Sequence, residues 1–530
     1  MERGTGGRGV FSSGGFLARA AFLTALLTAV AALFGLVRDQ TIAHLYGAGP
    51  DTDAFLVAWT VPEMASTLLI EDAMALILVP AFSLALARRA TRPAPDPVRL
   101  LIRATLPRLF LALSAGAALL IAAAPWVVAV LAPGLPEPRL AVDCTRLTGT
   151  CALTFGVAGY FSAALRAHGS FVAPAGIYVG YNIGIITTML LLSDRWGVRA
   201  AAAGVAVGGV LMVLIQAPVL WRRLGERRPV TGRGPKDPGS GPLVGLGLLA
   251  PVIVFALSRQ SQVLIERFLA APLPPGAISH LNYAQKVAQI PMTLSLMLCT
   301  VTFPVVARAI AAGETDRARR RIERDLTLAG IIVLTGAATV VACAPQLIEV
   351  LFQRGAFDGA DTAATAAVMR VYAIGLLGHT LVGALVRCYF SAARPLWFPA
   401  FAMLGGLALN TGAGGVLVHV WGVRGIAAAN ALGVTVTAAL MLYGTRRHQV
   451  PVRIRHMTLG LLKLATGGAA ATGAGWFCGA LVPSSVSPVI GTAVACLTVP
   501  AVFLVVAGAL RAPEIDTILR PLSRRLAHVR

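Results

Sequence analysis

The apolar residues of this chain recur at neither strand nor surface-helix spacing. They run on uninterrupted. Stretches 109–125, 200–220 and 331–342 contain almost no charge, and a bilayer-crossing helix needs roughly 20 residues of this kind. A transmembrane barrel would alternate polar and apolar positions instead. The pattern predicts an all-α polytopic membrane protein of about 14 transmembrane helices. These fall near 16–46, 54–87, 104–132, 141–167, 170–193, 199–221, 243–271, 278–311, 326–352, 362–392, 395–419, 424–445, 457–482 and 486–510. They group as two pseudo-symmetric six-helix lobes, 16–221 and 243–445, followed by a C-terminal helix pair within 446–510. Between and around them lie a disordered cytoplasmic N-terminus 1–15, a polar linker 222–242 rich in Arg, Gly and Pro, and a basic cytoplasmic tail 511–530. The first apolar stretch is too long, and has the wrong flanks, for a cleaved signal peptide.

Composition agrees. Of the 530 residues, 57% are hydrophobic and 13% charged, against about 25% charged in soluble domains. The formal net charge of +22 would suggest nucleic acid in a soluble protein. Here the cations sit in the gaps between apolar runs, so no nucleic-acid partner is expected. Basic residues crowd alternate loops: Arg88 to Arg103, Arg222 to Lys236, Arg317 to Arg324, and Arg446 to Arg455, with Arg520, Arg524 and Arg525 in the tail. Lys and Arg concentrate on the cytoplasmic side, so the alternation predicts a multi-pass protein of the bacterial cytoplasmic (inner) membrane with both termini inside. The seven cysteines form no CxxC pair and read as small core hydrophobes.

A faint repeat links the halves. Asp53-Ala-Phe-Leu-Val-Ala-Trp-Thr-Val-Pro62 precedes Val79-Pro80-Ala81, and Leu281-Asn-Tyr-Ala-Gln-Lys-Val-Ala-Gln-Ile-Pro291 precedes Phe303-Pro304-Val305. Each copy opens the second span of its half. Duplicated halves of this kind are common in secondary transporters.

The informative charges lie inside spans, where even a lenient scale sets the cost at about 2.5–3.5 kcal/mol. In the first span Arg38 and Asp39 follow Gly35; they form either an interfacial pair or part of a cavity wall. Asp53 either caps the second span or neutralises Arg38. Glu71 and Asp72 fall midway along that span, where gating or ion coupling competes with structural pairing. Arg259 stands in the seventh span beside Gln260, Ser261 and Gln262, with Glu266 and Arg267 further on. In the eighth, Gln285, Lys286 and Gln289 make a polar strip, because positions 285 and 289 are one helical turn apart. Lys286 suits a phosphate as a point charge or snorkels to an interface. Arg387 reads as a cytoplasmic-end anchor, and Glu349 and Arg370 as outer-surface residues. If Arg38, Arg259 and Lys286 converge, they make a basic cavity whose natural ligand is an anionic head group.

Several segments resemble the MurJ (MviN) lipid II flippases of the MOP exporter superfamily. They are Phe34-Gly-Leu-Val-Arg-Asp39, Leu45-Tyr-Gly-Ala-Gly49, Thr52-Asp-Ala-Phe55, Glu71-Asp-Ala73, Leu281-Asn-Tyr-Ala284, Leu351-Phe-Gln-Arg-Gly-Ala-Phe357 and Cys388-Tyr-Phe-Ser391. The resemblance implies a two-lobed, fourteen-helix alternating-access transporter of an undecaprenyl-diphosphate disaccharide-pentapeptide. It also implies a groove for the lipid tail near 457–510. Arg38, Asp39, Asp53 and Glu71 match the family's charged positions. Ala32, Ser66 and Thr67 stand where it carries arginines, and Gln285, Lys286 and Gln289 where it carries Asp, Arg and Glu. Lys keeps the charge of Arg without its bidentate fork.

The expected function is therefore translocation of lipid II across the membrane. Arg38, Arg259 and Lys286 would bind the diphosphate, and Asp39, Asp53, Glu71, Asp72, Gln285 and Gln289 would gate or pair charges. The expected partners are the lipid-linked precursor, membrane lipids and cell-wall synthesis enzymes. No cofactor is expected; coupling would be to the membrane potential or a monovalent ion. Three rivals remain: a MOP-type exporter of another lipid-linked saccharide or metabolite, a polyprenyl-phosphate glycosyltransferase, and a cell-wall scaffold. The enzyme is disfavoured because acids are sparse and no HExxH, CxxC, P-loop or Asp-rich motif occurs.

Overall fold

A computed structural model describes residues 11–91, 96–225, 246–390, 396–448, 452–480 and 488–512. Every regular element among them is helical. The expected N-terminal segment, linker and tail fall mostly outside these residues. The chain divides into two compact units, 1–239 and 240–530.

The first unit comprises α1 (Phe11–Tyr46), α2 (Pro50–Ala65), a π-helical segment Ser66–Ala73, α3 (Met74–Thr91), α4 (Pro97–Leu131), α5 (Pro138–Gly149), α6 (Cys151–Ala167), α7 (Val172–Trp196) and α8 (Arg199–Gly225). The second comprises α9 (Leu246–Ala270), α10 (Ala277–Ala288), α11 (Ile290–Ala311), α12 (Thr315–Ala342), α13 (Ala344–Phe352), α14 (Gly359–Ile374), α15 (Leu376–Phe390), α16 (Phe398–Trp421), α17 (Val423–His448), α18 (Ile454–Ala480) and α19 (Pro488–Ala509).

Among the described residues nine spans are long and apolar enough to cross a bilayer, and the bent pair α14–α15 makes a tenth. The other four expected spans coincide with helices that are broken, charged or rich in small residues. These are α2–α3 with its π segment, α9 with Arg259, Glu266 and Arg267, α10–α11, and the Gly- and Ala-rich α18.

Packing repeats between the units. In the first, α7 lies against α1 and α8, α6 against α3 and α8, and α2 against α5. In the second, α16 lies against α9 and α17, α15 against α11 and α17, and α10 against α14. This is the three-dimensional counterpart of the faint sequence repeat. Lipid tails are as apolar as leucine, so close backbone approach, not exclusion of water, holds such helices together. Close glycine approaches recur at equivalent places. A Cβ on Gly184 of α7 would stand 2.8 Å from the Gly208 Cα of α8, and one on Gly433 of α17 would stand 2.6 Å from the Gly406 carbonyl oxygen of α16. Gly208→Val is therefore expected to destabilise the protein by about 1–3 kcal/mol or more, read as a lower melting temperature in detergent. Gly176→Ala is the control, because a Cβ there meets nothing within 4 Å and alanine favours helix.

The second span breaks for a legible reason. Pro62 lacks an N–H, so the Ala58 carbonyl one turn earlier loses its helical donor. The Thr148 hydroxyl of α5 takes that place at 3.2 Å. Beyond the proline the helix widens into the π segment, a local form frequent at functional sites. There α6 comes so close that a Cβ on Gly159 would lie 2.5 Å from the Leu69 carbonyl oxygen. In the second unit the equivalent break separates α10 from α11, with Pro291 in the first turn of α11.

Candidate functional site

In the first unit the polar centre is built on Arg38. Its Nε and Nη2 donate to Asp39 Oδ1 at 3.0 and 2.7 Å, and Nη1 donates to Asn182 Oδ1 at 3.0 Å. The guanidinium lies over the Trp59 ring, 4.7 Å from its centroid, a cation–π arrangement. Asn182 is itself oriented: its Nδ2 donates to the Tyr178 and Ala31 carbonyls, which turns its oxygen toward Arg38. Gly35 faces this contact without being required by it, since a Cβ there would meet Asn182 Nδ2 at an ordinary 3.9 Å. Trp59 continues into a row of rings through Tyr181 to Phe155, with centroids 6.1 and 5.5 Å apart.

Arg38 is 8% exposed, and three of its five N–H donors are engaged within the unit. Its counter-ion is the adjacent Asp39. Asp53 is buried in the first turn of α2, and the N-cap is Gly49, not Asp53. An acid there still complements the positive helix end. Glu63 and Tyr181 are within electrostatic reach of Arg38. Ser66, where the resemblance implies an arginine, bonds the Tyr178 hydroxyl at 3.2 Å, and Thr67 bonds the Glu63 carbonyl. Ala32, the third such position, is exposed. Glu71 and Asp72 lie on the π segment, and their side chains lie outside the described part of the structure.

The second unit holds a longer polar chain drawn from five helices. Asn430 of α17 donates through Nδ2 to Glu266 Oε1 of α9 at 2.7 Å. With its nitrogen committed to the carboxylate, its Oδ1 faces His379 Nε2 of α15 at 3.0 Å. The imidazole must therefore carry a proton on Nε2. His379 stacks on Tyr372 of α14, with centroids 5.8 Å apart. The Tyr372 hydroxyl accepts from Gln285 Nε2 at 2.8 Å and Gln289 Nε2 at 3.3 Å, both at the end of α10. The two glutamines of the expected strip thus meet on one tyrosine. Lys286 beside it is half-buried.

Arg259 is exposed, two turns before Glu266 on α9, and within electrostatic reach of Tyr372 and His379. Between them, Gln262 is buried, and its Nε2 has no hydrogen-bond partner among the described residues. Arg267 ties α9 to α10 through the Ile278 carbonyl and Asn282 Oδ1. Arg387 reaches the Leu296 carbonyl and Arg370 the Val341 carbonyl. The structure thus gathers Arg38 and Asp39 into one centre, and Arg259, Gln285 and Gln289 around another, in separate units.

Sequence reasoning missed Trp59, Asn182, Tyr372, His379 and Asn430 as site residues. The available signal was a lone amide or imidazole in an apolar run, as in Ala427-Ala-Ala-Asn430-Ala.

A multi-span helical bundle of two like-packed units, each with a buried polar centre, is the fold of a membrane transporter. Solved structures share it. A lipid II flippase MurJ in an inward closed conformation superposes with TM-score 0.72 at 17% identity, covering 94% of this chain and all of that one. An inward-facing multidrug resistance MATE family transporter of the MOP superfamily gives TM-score 0.63 at 15% identity, covering 83% and 99%. The family model described as lipid II flippase MurJ matches residues 42–491. The lipid II flippase MurJ of Burkholderia cenocepacia is 27% identical over 445 residues, 82% of this chain and 84% of its own length. The probable lipid II flippase MurJ of Vibrio cholerae is 26% identical over 475 residues, 86% and 88%. The chain belongs to the lipid II flippase MurJ family.

Proposed function

We propose that this protein carries lipid II from the cytoplasmic to the outer leaflet of the bacterial inner membrane by alternating access of its two units, with both termini in the cytoplasm. The family match over residues 42–491 carries this reading. The basic loops support the orientation. Arg259 and Lys286 suit the diphosphate, and Gln285 and Gln289 sit beside them on Tyr372. Arg38 reaches the substrate only when its bonds to Asp39 and Asn182 open, which makes that cluster a gate. The membrane potential supplies about 2.3 kcal/mol per charge per 100 mV, enough to return an empty, positively charged carrier. Cell-wall synthesis enzymes are the partners such a substrate brings.

Complementation of a conditional lipid II flippase mutant tests the reading, with each protein's arrival in the membrane confirmed. The native chain should restore growth, and Lys286→Ala should do so at least about tenfold less well in plating efficiency, the effect of one lost charge-assisted contact. A native chain that inserts but does not restore growth would overturn lipid II as the substrate. The neutral residues Ala32, Ser66 and Thr67, with Ser66 bonded to Tyr178, favour a second reading in that event. The cargo would then be another polyprenyl-linked saccharide.

A further inference from the structure

The two C-terminal helices, where the family resemblance implies a groove for the transported lipid's tail, also carry cations to which the transport reading gives no role. α18 and α19 contain no Asp or Glu. They pack through Gly467, where a Cβ would lie 3.5 Å from Ala507 Cβ and 3.7 Å from the Phe503 carbonyl oxygen. One turn before that contact Lys463 is exposed, and its Nζ stands 3.5 Å from the Arg511 carbonyl oxygen just beyond the end of α19. Lys463 therefore lies level with the point where α19 stops, and the preceding residues of α18 extend past it. On that extension Arg455, Leu459 and Leu462 are exposed on adjoining positions of one face.

The turn that closes α19 is unusual. The Ala512 and Arg511 amides donate to the Ala507 and Gly508 carbonyls, and Arg511 takes φ 49°. Among the described residues it is the one non-glycine with positive φ. Glycine is the residue that such a helix end favours, because a Cβ is disfavoured in that conformation. An arginine there adds a cation at the turn whose carbonyl meets Lys463, at the expense of local backbone comfort, with Arg455 about 12 Å further along α18. Just past Lys463, toward the helix middle, the exposed residues of α18 are small: Thr466, Ala469 and Ala470. On α19 Val505 is exposed. Small side chains beneath a cationic rim leave room for hydrocarbon.

We propose that this end of the α18–α19 pair binds one anionic phospholipid of the cytoplasmic leaflet. The phosphodiester lies between Lys463 and Arg511, Arg455 stands at the rim, and the acyl chains run along Thr466, Ala469, Ala470 and Val505. The site rests on the orientation proposed above. Charge complementarity selects the ligand: neither helix carries an acid, the Glu323 carboxylate of α12 is taken by the Arg453 amide at the foot of α18, and each Lys or Arg near an anionic surface strengthens attraction by roughly fivefold.

The test uses the full chain in mild detergent, incubated with phosphatidylglycerol or phosphatidylcholine and weighed intact by native mass spectrometry. One phosphatidylglycerol should be retained in preference to phosphatidylcholine. Lys463→Gln and Arg511→Gly should each lower that occupancy about fivefold. Arg511→Gly also separates binding from folding: glycine suits the turn, so the melting temperature should hold or rise while lipid is lost. Equal retention of the two lipids, or occupancy unchanged in both variants, would overturn the site. Displacement of phosphatidylglycerol by equimolar undecaprenyl phosphate would overturn it too, by assigning the cations to the transported lipid. None of these readouts depends on growth restoration, so the site and the transport reading fail separately.

Discussion

Arg38→Met is expected to destroy transport and to lower stability by about 3–5 kcal/mol, the loss usual when one partner of a buried ion pair is removed. Methionine fills much of the volume. However, it leaves Asp39, 7% exposed, without the guanidinium that neutralises it, and it frees Asn182 Oδ1 and the face of Trp59. The measurement is melting temperature and growth restoration for Arg38→Met, Asp39→Asn and the pair. If the two residues act as one unit, the double variant should be more stable than Arg38→Met alone, because no stranded carboxylate remains. Transport should stay lost in all three. Arg38→Lys sharpens the point: it keeps the charge but cannot bridge Asp39 and Asn182 while lying flat on Trp59, so substantial stability loss is expected from it as well. Full activity in Arg38→Lys would show that charge alone matters there.

The second large effect is expected at Asn430→Leu. Asn430 is 1% exposed and is the piece that joins Glu266 to His379. Its loss removes a hydrogen bond to a carboxylate and one to an imidazole, together about 2–4 kcal/mol. It also leaves the His379 proton on Nε2 without its closest acceptor. The effect should spread, since Tyr372, Gln285 and Gln289 follow in the same chain. Double variants with Tyr372→Phe should therefore be non-additive in stability, as residues of one network are. Strict additivity would mean that the chain is a row of independent contacts. Tyr372→Phe alone should leave the fold intact, because the ring and its stack on His379 remain, yet it releases Gln285 and Gln289 and so should weaken growth restoration more than stability.

The contrast between these two centres shows what could be read without coordinates. Gln285 and Gln289 are legible as neighbours because a helix places residues four apart on one face, a local relation fixed by geometry. Arg38 and Asp39 were singled out because charge in an apolar run is costly. What they touch was not legible. Asn182 is 144 residues from Arg38, and Tyr372 is 87 from Gln285; no helical period relates such positions. Asp53 shows the limit of local reading. Its place at a helix start suggested either a cap or a counter-ion, and the extended Gly49 takes the cap, leaving Asp53 buried one turn further on.

The sequence by itself determined that this is an all-helical membrane protein, the approximate course of its spans, the positions of the costly charges and the resemblance to its family. It did so because a bilayer imposes a length and an apolar character that each segment must meet alone. Only the tertiary structure decided that Pro62 hands the Ala58 carbonyl to Thr148, that glycines bring α7 onto α8 and α16 onto α17, and that Glu266, Asn430, His379 and Tyr372 form one chain. Those outcomes depend on which helix faces meet. In lipid the apolar faces are nearly equivalent, so close backbone approach and interhelical polar contacts, which depend on partners distant in the chain, make the choice.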